Sequence, residues 1–87
     1  MAGRKGKTGA GHTVIIYTAP WCPWCRRVKE FLSANGVKFE ERDIESKNEW
    51  AEEAVAKSGQ TGIPILDIDG HVVIGFDEPA IRELLGL

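Results

Sequence analysis

Hydrophobic positions change their spacing along this chain in a way that lays out its elements. The run "TVIIY", Thr13 to Tyr17, is β-branched and aromatic with few polar breaks, as suits a strand buried on both faces. From Cys25 onward the spacing lengthens. Val28, Phe31 and Leu32 recur at i, i+3 and i+4 with charged residues opposite, and Asn35-Gly36 offers a stop, which predicts a helix. "VKFEERDI" sets Val37, Phe39 and Glu41 against Lys38, Glu40 and Arg42, the alternation of a half-exposed strand. "SKNEWAEEAVAKSG" opens with Ser46 and Glu49 in capping-box spacing, places Trp50, Ala54 and Val55 on one face, and closes at Ser58-Gly59. "IPILDIDGHVVIGF" reads as two strands joined by Asp69-Gly70, a dipeptide suited to a two-residue hairpin. A last helix starts at an Asp77 cap and turns Ile81, Leu84 and Leu85 inward.

The order is β-α-β-α-β-β-α, an α/β arrangement. A βαβ unit is parallel and right-handed, and the hairpin adds two antiparallel strands. The expected fold is a mixed four-stranded sheet with helices on both faces. At 87 residues there is room for one core and no second domain.

Charge divides the chain. Of eleven basic residues, Arg4, Lys5 and Lys7 fall in the Gly-rich stretch 1–12, which has no acid. The other eight face thirteen acidic residues, so the remainder carries a formal −5. Residues 1–12 are expected to be a flexible basic tail and 13–87 the domain. An acidic body argues against nucleic-acid binding by the domain. No apolar run approaches the roughly 20 residues of a membrane span, and no signal-peptide core stands at the start. A monomer in the cytoplasm, without membrane attachment, is expected.

The candidate chemistry lies in "PWCPWC", residues 20–25, which holds both cysteines. Two thiols are too few for a disulfide scaffold. A structural zinc site would need two more ligands, and His12 and His71 lack that spacing. They are expected to be solvated, in the tail and beside the hairpin turn. The remaining reading is a reversible dithiol. With Cys22 as helix N-cap and Pro23 at N1, the N–H groups of Trp24 and Cys25 point back at the Cys22 sulfur. The helix dipole then favours its thiolate. Arg26 and Arg27 add cations to that turn. Cys22 is the expected attacking sulfur and Cys25, one turn in, the resolving one. Pro23 stiffens the turn, and Trp21 and Trp24 flank the sulfur as packing or as a substrate platform. Pro64, opening a strand after a Gly-containing loop, is the second part of the expected site.

Together, "IYTAPWCPWCRRVKEFL", "GIPILDIDG" and "VIGFDEPAIRELL" resemble the glutaredoxin family of the thioredoxin fold, with the bacterial YruB-type proteins as the nearest likeness. The resemblance covers everything except the leading tail. It implies that Cys22 and Cys25 are the redox pair, that Pro64 is cis, and that Ile63 offers backbone hydrogen bonds to a bound peptide or glutathione. It also implies an enzyme, a thiol–disulfide oxidoreductase acting on protein disulfides and on glutathione mixed disulfides. No bound cofactor is expected; glutathione is a candidate reductant or co-substrate.

Three departures bear on that last point. Ala19 stands where glutathione-using members carry a basic residue. Gly62-Ile63-Pro64 replaces their T-V-P, with Thr61 one position early. Gly75-Phe76 replaces their G-G, leaving Asp77 and Glu78 as candidates for the glutathione amine or as caps of the last helix. The Gly-Phe pair resembles the glutaredoxin-like electron donors of ribonucleotide reductase, which are recharged by thioredoxin reductase. That role is the alternative. An iron–sulfur cluster shared by two chains through Cys22 is a further one, disfavoured by the proline in the motif.

Overall fold

Val14–Thr18 forms β1, an interior strand of the sheet, in the computed structural model, which describes residues 11–87. It is followed by α1 (Pro23–Ala34), β2 (Glu40–Asp43), α2 (Asn48–Ser58), β3 (Ile65–Ile68), β4 (His71–Ile74) and α3 (Glu78–Leu85). The sheet order is β2-β1-β3-β4. β1 runs parallel to β2 and antiparallel to β3, and β4 is antiparallel to β3. This is the expected mixed sheet. Arg4, Lys5 and Lys7, the basic positions expected in the tail, lie outside the described residues. No helix among the described residues is long and apolar enough to cross a membrane.

Alternation along the strands sends side chains to opposite faces. On one face Val14, Ile16, Leu66, Ile68 and Val73 pack with Val28 and Leu32 of α1 and Ile81 and Leu85 of α3. On the other, Tyr17 and Ile65 pack against Ala54 of α2. Helices therefore cover both faces. The hairpin turn has φ of +53° at Asp69 and +90° at Gly70, the double left-handed turn that suits the twist of the paired strands.

Four local expectations are corrected. The second strand begins at Glu40 rather than Val37. Val37 is buried and Phe39 half-buried in the connection after α1, where the Val37 N–H donates to the Leu32 carbonyl. Pairing with β1 begins only at Glu40. The Ser46 capping box does not form: Lys47 is the N-cap and makes no side-chain cap. The Ser46 N–H is already committed to the Asp43 carbonyl in the preceding turn, and the Glu45 N–H to the Asp43 side chain. Val55 is exposed although Ala54 beside it is buried; the α2 side chains that reach toward the sheet next to Ala54 are Glu53 and Lys57, through hydrogen bonds to the Tyr17 hydroxyl. His12, expected to be solvated, is half-buried, and its Nδ1 lies 2.6 Å from the Asp69 carboxylate. His71 is exposed as expected.

Glu53 and Lys57 turn inward because Tyr17, fully buried, brings a hydroxyl under α2. That hydroxyl donates to Glu53 Oε1 at 2.8 Å and accepts from Lys57 Nζ at 2.8 Å and an Arg42 guanidinium N–H at 3.3 Å. Lys57 also bonds Asp67, and Arg42 bonds Glu40 and Glu53. The network fastens α2 to β1, β2 and β3. Tyr17→Phe removes its centre but leaves each charge a second partner, so a loss of about 1–2 kcal/mol is expected. Urea unfolding of the two proteins side by side measures it.

Candidate active site

The carboxyl end of β1 leads straight into the thiol segment. Ala19 follows the strand, its carbonyl accepts the Cys22 N–H at 3.2 Å, and the chain turns into α1. Cys22 is the N-cap, with φ −93° and ψ 109°, and Pro23 is the first helical residue. Proline fits there because a first-turn N–H has no partner within the helix. The Cys25 N–H donates to Cys22 Sγ at 3.2 Å. Of the two N–H groups expected to reach this sulfur, Cys25's makes the bond; among the described hydrogen bonds, Trp24's does not.

Cys22 is 6% exposed and Cys25 1%, and both are free thiols. They cluster with Ala19 against Ile44 and Ile63. Burial pushes the Cys25 thiol up to about 12. Its bond to the Cys22 sulfur and that sulfur's charge act the same way, while the Ala19 backbone and Lys29 favour the thiolate. Near neutral pH Cys25 therefore keeps its proton. The two sulfurs are chemically unequal.

Adjoining them through Ile63, which packs on the cysteine cluster, is a cavity of about 240 Å³ lined by Trp24, Ile63, Pro64, Gly75 and Phe76. All five were expected at the site, and the fold brings them together from three separate stretches. The Ile63–Pro64 peptide is cis. The Gly75 N–H donates to the Pro64 carbonyl at 2.8 Å, and its φ of +77° suits glycine. No backbone–backbone hydrogen bond among the described residues engages Ile63. Phe76 fills the far wall, its ring 5.6 Å from that of Phe31.

Apart from Trp24, which lines the cavity, the other expected residues sit outside it. Trp24 is 56% exposed with the Arg27 guanidinium over its ring, and Trp21 is 65% exposed with its indole N–H bonded to Glu45. Arg26 is exposed and joins the turn through its N–H to the Cys22 carbonyl. Asp77 accepts from the Ala80 N–H and caps α3. Glu45, which tethers Trp21, and Lys29, which acts on Cys25, were not anticipated. Lys29 was legible as the i+4 neighbour of Cys25; Glu45 had no local signal.

An unequal dithiol at a helix mouth, packed against Ile63 beside a β2-β1-β3-β4 sheet, defines a thioredoxin-fold thiol oxidoreductase. The family is narrower. The glutaredoxin family model matches residues 14–73, and the chain belongs to the glutaredoxin family. It is 34% identical over 72 residues to an uncharacterized glutaredoxin-like 8.6 kDa protein in the rubredoxin operon of Clostridium pasteurianum, covering 83% of this chain and 96% of that one. It is 40% identical over 65 residues to glutaredoxin 3 of Escherichia coli, covering 75% and 78%. Among solved structures, the thioredoxin-like protein BC3987 superposes with a TM-score of 0.79 at 36% identity, over 84% of this chain and 100% of that one. The glutaredoxin from Archaeoglobus fulgidus gives 0.75 at 30% identity, over 85% and 86%.

Proposed function

We propose that this protein reduces protein disulfides by two-cysteine exchange, with Cys22 attacking and Cys25 resolving. The observation that carries the reading is the Cys25 N–H directed at Cys22 Sγ while the Cys25 thiol itself stays protonated. Thiolates rather than thiols attack disulfides, and the helix entry offers Cys22 the N–H and the dipole that favour an anion. Cys22 thiolate attacks one sulfur of the target; the other sulfur leaves with the electron pair and takes a proton. Cys25 then loses its proton and attacks Cys22, which frees the second target sulfur as a thiol. The protein is left with a Cys22–Cys25 disulfide, having passed on two electrons; of the two protons on the target thiols, one is lost by Cys25 and the other is drawn from water. A reducing role places it in the cytoplasm, where thiols are kept reduced.

A second feature bears on what recharges it. Glutathione carries two carboxylates and an ammonium, yet the side chains lining the cavity are uncharged, Phe76 occupies the wall, and Asp77 is used as a cap. This favours a protein reductase of the thioredoxin-reductase type over glutathione, as for the ribonucleotide reductase donors.

The oxidised protein, offered glutathione with glutathione reductase in one cuvette and thioredoxin reductase in another, tests both statements through NADPH consumption. Faster turnover with thioredoxin reductase is expected. A clear preference for glutathione would overturn the choice of reductant and leave dithiol exchange standing. No turnover with either, and no reduction of an added protein disulfide by the reduced chain, would overturn the exchange itself.

A further inference from the structure

Between α1 and the β2 edge of the sheet lies a polar trio that dithiol exchange, as set out above, leaves unused. Thr18, at the end of β1, is only 1% exposed, and its hydroxyl donates to Glu41 Oε2 at 2.8 Å. The same oxygen accepts from Lys29 Nζ at 2.9 Å. Lys29 follows Cys25 by four residues on α1, so the two share one helix face a turn apart. Ala19, directly after Thr18, packs in the cluster that holds both cysteines. A half-exposed lysine–glutamate pair contributes little to stability, and a buried hydroxyl spent on fixing it calls for another explanation. The trio holds a cation on the helix face of the one sulfur that has to lose a proton.

We propose that Lys29, fixed by Glu41 and Thr18, is a positioning residue for Cys25. It favours the Cys25 thiolate during the step that releases the target protein. The inference rests on the dithiol reading above. In that step the Cys25 proton passes to water and the Cys25–Cys22 bond forms. The bond from Cys22 to the target sulfur breaks, and that sulfur leaves with the electron pair and is protonated by water. Cys25 has to ionise only in this step. Once Cys22 is tied up in the mixed disulfide its negative charge is gone, so its hold on the Cys25 proton is lost. Burial still opposes the thiolate, and the Ala19 backbone and Lys29 favour it.

The groups facing Cys25 are few. From the helix entry and α1 come Cys22 and Lys29; the end of β1 gives the Ala19 backbone; Glu41 of β2 and the Thr18 hydroxyl bear on Cys25 only through Lys29. Ile44 and Ile63 close the rest with apolar surface. The Glu41 carboxyl is held below the usual carboxylate range by its bond from Lys29, against burial and with help from Thr18. It stays an anion at working pH and partly offsets the lysine charge.

Stopped-flow mixing of the reduced full chain with one equivalent of 5,5′-dithiobis(2-nitrobenzoate) separates the two steps. The first nitrothiobenzoate released reports attack by Cys22, and the second reports attack by Cys25 on the mixed disulfide. Between pH 6 and 9, Lys29→Met is expected to slow the second release about three- to tenfold, the size of a lost neighbouring charge, with the first release unchanged. Its rate–pH line moves to higher pH. Glu41→Gln keeps an oxygen for Lys29 but removes the opposing charge, so its line moves to lower pH; Lys29→Arg restores the native line. Both substitutions disrupt the same ion pair, so a purely structural role would move the two lines together. Displacement in a common direction, or none, overturns the inference while dithiol exchange stands. Absence of any second release from the native chain overturns dithiol exchange, and the inference with it.

Discussion

Cys22→Ser is expected to abolish disulfide reduction, with a loss of roughly a thousandfold or more, as for removal of a catalytic nucleophile. Cys25→Ser is expected to fail differently. A serine hydroxyl at position 22 does not ionise near neutral pH, so no target sulfur is ever captured. A serine at position 25 leaves the first attack intact, because the N–H that bonds Cys22 Sγ belongs to the backbone and survives the substitution. The variant then stops at the mixed disulfide. Non-reducing electrophoresis of each variant with a disulfide-bearing protein target distinguishes them: a slower covalent band with Cys25→Ser and none with Cys22→Ser. Covalent capture by Cys22→Ser would reverse the assignment of the two thiols. The same asymmetry predicts that limiting iodoacetamide at neutral pH labels Cys22, since Cys25 is the more deeply buried of the two and its thiol is pushed up to about 12.

The second large effect is on stability. Leu32 is fully buried on the face of α1 that also carries Cys25 and Val28, and it packs into the main core. Leu32→Ala is expected to cost about 2–5 kcal/mol, combining lost transfer energy with the cavity left behind. Small domains have only about 5–15 kcal/mol in hand, so the midpoint of denaturant unfolding falls substantially. The consequence reaches the proposed chemistry, because the helix that Leu32 anchors is the one capped by Cys22. A change below 1 kcal/mol would mean that α1 is not anchored through this residue.

The parts of the molecule readable in advance are those set by neighbours in sequence. Asp69-Gly70 makes its turn with both residues at positive φ, and Asp77 caps the helix that follows it. Val28, Leu32, Ile81 and Leu85 are buried where helical spacing placed them. The site was legible for a related reason: C-P-W-C at a helix entry is a local arrangement, and the family resemblance supplied its distant wall. Tertiary competition accounts for what was missed. Ser46 has capping-box spacing, but its N–H was taken by the Asp43 turn. Val55 is as apolar as a core residue, but the buried hydroxyl of Tyr17 drew Glu53 and Lys57 inward instead. His12 belongs to a Gly-rich segment by composition, yet it meets a carboxylate 57 positions away. The Thr18–Glu41–Lys29 trio joins three elements, and periodicity along any one of them carries no trace of the other two.

The reacting sulfurs and the surface beside them come from different stretches of chain. Residues 19–25 supply the thiols, whereas Ile63, Pro64, Gly75 and Phe76 supply most of the adjoining wall, and β1–β3 pairing joins the two stretches. On the dithiol exchange proposed above, electron transfer and recognition then fall to separable cassettes on one scaffold. Grafting a new 62–76 segment could redirect the molecule to other clients while the sulfur chemistry carried on unaltered.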